Sequence, residues 1–191
     1  MKHFNPVEVA HRFVRTALKE GDLCVDATMG NGHDTAFLAQ LVGASGKVLG
    51  IDVQDSAIEN ARRQMHSQRL ADRVVFCNRG HETLSSELQS LDWRTVQLVM
   101  FNLGYLPRSD KSIITNAETT LLALGASLKA LGEKGAISIV AYRGHAGGFD
   151  EYQAVQQWVE NLSTNNFFCM RYERWSYQRV ETPVLFWVRR R

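Results

Sequence analysis

Val25-Asp26-Ala27-Thr28-Met29-Gly30-Asn31-Gly32-His33-Asp34-Thr35 is the stretch that decides how this chain folds. The apolar run Leu23 to Val25 leads into it, and the run Ala36 to Leu41 follows it. That pattern is a strand, a tight glycine turn and a helix. Further along, Val48-Leu49-Gly50-Ile51-Asp52 reads as a second buried strand that ends in an acid. A glycine turn after one strand and a carboxylate at the tip of the next make a nucleoside site. The turn lets a ligand approach the backbone, and the acid accepts from ribose hydroxyls.

The turn also narrows the ligand. A dinucleotide site carries G-x-G-x-x-G, whereas only Gly30 and Gly32 are present here. Polar and acidic side chains dominate instead: Asp26, Thr28, Asn31 and Asp34, with His33 and Thr35 beside them. They suit a cationic ligand without phosphates. S-adenosylmethionine has a sulfonium, an ammonium, a carboxylate and a ribose, so it is the expected cofactor. NAD and a nucleotide bound without catalysis are the alternatives.

Other candidates fall after later strands, where ligands of an open α/β sheet lie. Gln54 follows the ribose acid on the adenosine side, or is an exposed helix start. His81 and Glu82 follow the third strand and contact adenine, or only cap a helix. Phe101-Asn102-Leu103-Gly104-Tyr105-Leu106-Pro107 ends the fourth strand. Amine methyltransferases carry Asn/Asp-Pro-Pro-aromatic at that place; here Asn102 keeps the acceptor and Tyr105 the aromatic, around a Leu-Gly centre. Asn102 and the Leu103 carbonyl are candidates for the reacting end of the pocket. Tyr105 stacks on a base or packs. His145 lies between glycines in Tyr142-Arg143-Gly144-His145-Ala146-Gly147-Gly148 and is a candidate proton acceptor, or a loop residue that shapes the pocket.

Composition bounds the rest. The 191 residues suffice for one domain, taken as residues 1–191, with residues 1–20 a helix leading into the sheet. Apolar residues make up 45% and charged residues 22%, ordinary for a globular protein. The net charge of +2 means that a nucleic acid would be held by a local patch. Arg171, Arg174, Arg179 and the terminal Arg189-Arg190-Arg191 are candidates, with Arg143 and Arg108. Cys24, Cys77 and Cys169 have no metal-site or disulfide spacing. No signal-peptide pattern and no bilayer-length apolar run is present, so the cytoplasm is the expected compartment.

Strand and helix patterns alternate: helix 7–18, strand 23–26, helix 35–42, strand 47–51, helix 55–68, strand 73–77, helix 82–91 and strand 96–101. A long helix over 113–131, a strand 135–141, a helix 151–162 and closing strands 167–175 and 184–189 complete the chain. Such βα units imply a mostly parallel sheet with helices on both faces and an antiparallel pair at one edge.

Together, Asp26 to Thr35, Asp52-Val53-Gln54, Gly80-His81-Glu82, Asn102 to Pro107 and Tyr142 to Gly148 resemble a known family, the small class I methyltransferases labelled rRNA methylases. The resemblance runs from about His11 to Pro183. It implies a seven-stranded Rossmann-like class I fold that uses S-adenosylmethionine. Members of the family methylate 5-(aminomethyl)-2-thiouridine at the tRNA wobble position. The resemblance therefore implies N-methylation of that amine, with the anticodon region of tRNA as partner. An enzyme acting on rRNA or on a small-molecule amine is the alternative, as is a non-catalytic nucleoside-binding module. The oligomeric state stays open, a homodimer included.

Overall fold

The computed structural model describes residues 5–104, 114–174 and 182–191. In chain order the elements are α1 (Pro6–Ala17), β1 (Leu23–Asp26), α2 (His33–Val42), β2 (Lys47–Ile51), α3 (Asp55–Ser67), β3 (Val74–Cys77) and α4 (Leu84–Ser90). They continue as β4 (Val96–Leu103), α5 (Ala117–Ala130), β5 (Leu131–Ala141), α6 (Gly148–Glu160), β6 (Phe167–Tyr172) and β7 (Val184–Arg190).

The seven strands form one sheet in the order β3-β2-β1-β4-β5-β7-β6. β1 to β5 run parallel, and β7 pairs antiparallel with both β5 and β6. The closing pair therefore lies at an edge, as expected, with β6 outermost and β7 inside. Strand order reverses beside β1, whose neighbours are β2 and β4. A crevice opens outside the carboxyl ends at such a switch point.

Period-2 alternation along the strands sends side chains into two cores. Val25, Leu49, Val99 and Phe101 pack with Leu84, Leu124 and Val155 from α4, α5 and α6. Cys24, Val48, Leu98 and Met100 pack on the other face with Ala10 and Val14 of α1 and Leu38 of α2. Cys24 and Cys77 are buried, as their place in apolar strands suggested. Among the described residues no helix is long and apolar enough to cross a membrane.

The largest shifts from the sequence pattern are at α5 and β5. The helix expected over 113–131 begins only at Ala117, because the Asn116 side chain accepts from the Thr119 N–H at 3.1 Å and caps it. It ends at Ala130, where Leu131 turns extended and opens β5. α1 starts where Asn5 accepts from the Val7 N–H, with Pro6 preset at the first helical position.

Candidate active site

A cavity of about 620 Å³ opens at the carboxyl ends of β1, β2 and β4. Its floor is the glycine turn. Gly30 (φ 51°) and Gly32 (φ 84°) take the left-handed backbone that only glycine adopts cheaply. A Cβ on Gly32 would lie 2.9 Å from Ala61 Cβ, so that glycine lets α2 approach α3. Gly30 instead lines the cavity, with Thr28, Asn31, His33 and Asp34.

Asp52 stands opposite, and backbone fixes both of its carboxylate oxygens. Gly30 N–H donates to Oδ2 at 2.8 Å, and Gln54 N–H donates to Oδ1 at 2.9 Å. Each oxygen keeps a further lone pair for a ligand hydroxyl. Gln54, His81 and Glu82 line the same wall. His81 is largely buried against Phe101 and within 3.3 Å of the Thr120 hydroxyl. That burial lowers its pKa, against the nearby Glu82 charge.

Asp26 does not reach the cavity. It is wholly buried, and its oxygens accept from the Thr35 hydroxyl at 2.6 Å and the Thr28 N–H at 3.3 Å. Thr35 is buried with it, so this pair braces the turn from beneath. Burial, with the Asp34 charge close by, pushes the Asp26 carboxyl up to about 7.

Asn102 bridges the switch point. Its backbone N–H donates to Thr28 Oγ1 at 2.7 Å, and its side-chain Nδ2 donates to Asp34 Oδ2. Its Oδ1 is buried with no hydrogen-bond partner among the described residues, on a residue that lines the cavity. Leu103 is fully buried behind it, with its carbonyl accepting from the Tyr142 N–H at 3.2 Å. His145 sits one layer back: a Cβ built on Gly104 would lie 3.7 Å from its Nε2. Tyr105 and Arg108 lie outside the described residues, as does Arg179.

The wall opposite the turn was not foreseen. Ile114, Thr115, Asn116 and Thr119 complete it, because α5 starts late. The buried Glu151 holds this wall, accepting from Thr115 Oγ1 and Thr120 Oγ1, each at 2.7 Å. Burial raises its pKa, against those two hydrogen bonds. The sequence signal for this wall was Asn116 three residues before Thr119, a capping spacing.

Three of the arginines expected to hold nucleic acid have partners within the chain. Arg143 donates to the Thr182 carbonyl at 2.9 Å and lies 4.9 Å from the Tyr152 ring centroid. Arg171 pairs with Glu173 at 2.7 Å, and Arg190 donates to the Leu128 carbonyl at 2.7 Å. Arg79, on the cavity wall, has a side chain 65% exposed.

Known proteins resemble this chain in sequence and fold. The family model described as "Putative rRNA methylase" matches residues 48–189, and that of protein-L-isoaspartate(D-aspartate) O-methyltransferase matches residues 5–86. An Arabidopsis thaliana protein described as "tRNA (mnm(5)s(2)U34)-methyltransferase, chloroplastic" is 34% identical over 96% of this chain and 69% of its own length. A Clostridium thermocellum crystal structure described in the same words as the first family superposes with TM-score 0.93 at 37% identity over the whole of both chains. A Streptococcus mutans protein, a "putative methyltransferase" in complex with SAH, reaches TM-score 0.87 at 31% identity over 99% of each chain. On its sequence match and its fold, the chain belongs to the rRNA methylase family of methyltransferases.

Proposed function

We propose that this methyltransferase transfers a methyl group from S-adenosylmethionine to the primary amine of 5-(aminomethyl)-2-thiouridine at the tRNA wobble position, engaging the anticodon region of a cytoplasmic tRNA. The cofactor is S-adenosylmethionine. The substrate follows the name of the Arabidopsis relative, which covers nearly the whole chain. One observation in the site carries the choice of an amine: the buried Oδ1 of Asn102, which has no hydrogen-bond partner among the described residues. A buried acceptor without a donor is costly, and an amine N–H supplies one.

The residues fit the cofactor's chemistry. Asp52 would hold the ribose hydroxyls, with Gly30 and Asn31 beneath. Gln54, His81 and Glu82 would flank the adenine, and Thr28, His33 and Asp34 the methionine end. Bound S-adenosylmethionine supplies an electrophilic methyl group. The protein's part is to make the amine a nucleophile. An alkylamine is protonated at neutral pH, and burial beside the wall of Ile114 and Thr115 favours its neutral form. Asn102 Oδ1 then accepts one N–H and aims the lone pair. His145, behind Gly104, is the candidate acceptor of the proton released.

Nucleoside mass spectrometry of tRNA from a deletion strain tests this. The aminomethyl nucleoside should accumulate, and purified protein with S-adenosylmethionine should convert it in vitro. Unaltered wobble nucleosides in that strain would sink the substrate assignment.

A further inference from the structure

Helix α1 reaches the site through the His11 side chain. His11 stacks on Phe37 of α2, with ring centroids 3.8 Å apart and planes 11° from parallel. This stacking presents Nε2 to Asp34 Oδ1 at 2.6 Å. The other oxygen of Asp34 accepts from Asn102 Nδ2. His11, Asp34 and Asn102 thus form a chain from the outer helix to the cavity wall. Its members come from three elements far apart in sequence, so the contact exists only in the fold.

The chain settles which way the Asn102 amide faces. A carboxylate offers acceptors only, so the group turned toward Asp34 is the NH2. The carbonyl Oδ1 must then point the other way, and it is the buried oxygen with no partner among the described residues. The Thr28 hydroxyl holds the backbone of the same residue at 2.7 Å, so neither end of Asn102 is free to turn. Among the described residues, two side chains anchor the Asp34 carboxylate, Asn102 and His11. Without His11, one carboxylate oxygen opens to solvent and Asp34 can rotate away from Asn102.

We propose that His11 is a positioning residue for methyl transfer: by clamping Asp34 it fixes the Asn102 amide with Oδ1 turned to the incoming amine. The proposal rests on the reading that Asn102 accepts from that amine. It differs from a packing role for His11, because packing needs only the flat ring on Phe37.

Two variants separate the roles. His11→Phe keeps an aromatic ring on Phe37 and removes the donor to Asp34. His11→Gln places an amide N–H near the position of Nε2. With undermethylated tRNA, His11→Phe should lower kcat about tenfold, with the Kd for S-adenosylmethionine by calorimetry staying within about threefold. His11→Gln should recover most of the loss. A second readout needs no RNA: the Asn102 side-chain amide pair in a 1H–15N spectrum of the cofactor-loaded protein. It should shift in His11→Phe and return in His11→Gln. An unmoved Asn102 resonance in His11→Phe would overturn the proposal, as would wild-type kcat in that variant, or a loss that His11→Gln does not repair. If the wild-type protein methylates no tRNA, the substrate reading fails, and the Asn102 resonance alone still decides the role of His11.

Discussion

Gly30 donates its backbone N–H to Asp52 Oδ2 at 2.8 Å, at the carboxyl ends of β1 and β2. The bond ties the glycine turn after β1 to the acid after β2. Gln54 N–H occupies the other oxygen at 2.9 Å, so Asp52 is held in one rotamer before any ligand arrives. An amide in its place must turn NH2 toward one of two N–H donors. Asp52→Asn should therefore weaken S-adenosylmethionine almost as much as Asp52→Ala. Each lost charge-assisted hydrogen bond costs about 1.5–3 kcal/mol, so calorimetry should show at least a tenfold rise in Kd for both. A near-normal Kd for Asp52→Asn would mean that the carboxylate is not the ribose acceptor.

The two glycines of the turn should fail differently. A Cβ on Gly32 would meet Ala61 Cβ at 2.9 Å and Ala61 Cα at 3.0 Å, and its φ of 84° disfavours any L side chain. The damage falls between α2 and α3 rather than in the cavity. Gly32→Ala should cost about 2–3 kcal/mol of stability, or about 5–10 °C in Tm. A Tm equal to wild type by differential scanning calorimetry would contradict the clash.

What the sequence disclosed follows what is local. β1 and β2 were legible to the residue, because apolar runs bounded by turn residues are short-range signals. Asp26 and Asp52 were legible from their places at strand ends, and Asp34 from the polar turn that opens α2. Their separate roles were not. Thr35, nine residues on, captures Asp26 from below, and His11, on another element, captures Asp34. Neither contact has a periodicity. The wall from Ile114 to Thr119 was hidden for a different reason: apolar residues flanking Asn116 mimic helical spacing, and a single capping side chain overrides it. That β7 lies inside β6 is a matter of pairing, which two similar strand patterns do not rank.

Asp26 makes stability depend on pH. Its carboxyl, carried from 3.8 to about 7, holds a proton more tightly in the folded chain than in the unfolded one. Protonation thus favours the fold. The contribution is fully present below pH 3.8 and is lost as pH rises through about 7. Between pH 5 and pH 8 this one group should remove about 3 kcal/mol of stability. Asp26→Asn has no such proton to lose, and its Oδ1 still accepts from the Thr28 N–H. The Tm of the variant relative to wild type should therefore climb by several degrees between pH 5 and pH 8. Parallel Tm profiles would show that Asp26 is ionised in the folded protein at both pH values.

RNA binding should depend on different arginines from those the sequence brought forward. Phosphate contacts release counterions, so each lost contact flattens the slope of log K against log salt by about 0.9. Arg143 has a side chain only 13% exposed, bonded to Thr182 and packed on Tyr152. Removing it should lower Tm through lost packing and leave the salt slope of tRNA binding unchanged. Arg79 is 65% exposed on the cavity wall, where its guanidinium can meet a phosphate of bound RNA. Its partner Glu87 stands 3.3 Å away and is 17% exposed, and with the Arg79 end in solvent the pair contributes about 1 kcal/mol at most to folding. Arg79→Ala should then keep Tm and S-adenosylmethionine affinity while reducing the slope by about one phosphate contact. Filter binding across a salt series measures both variants. An unchanged slope for Arg79→Ala, or a flattened one for Arg143→Ala, would place the RNA surface away from the cavity mouth.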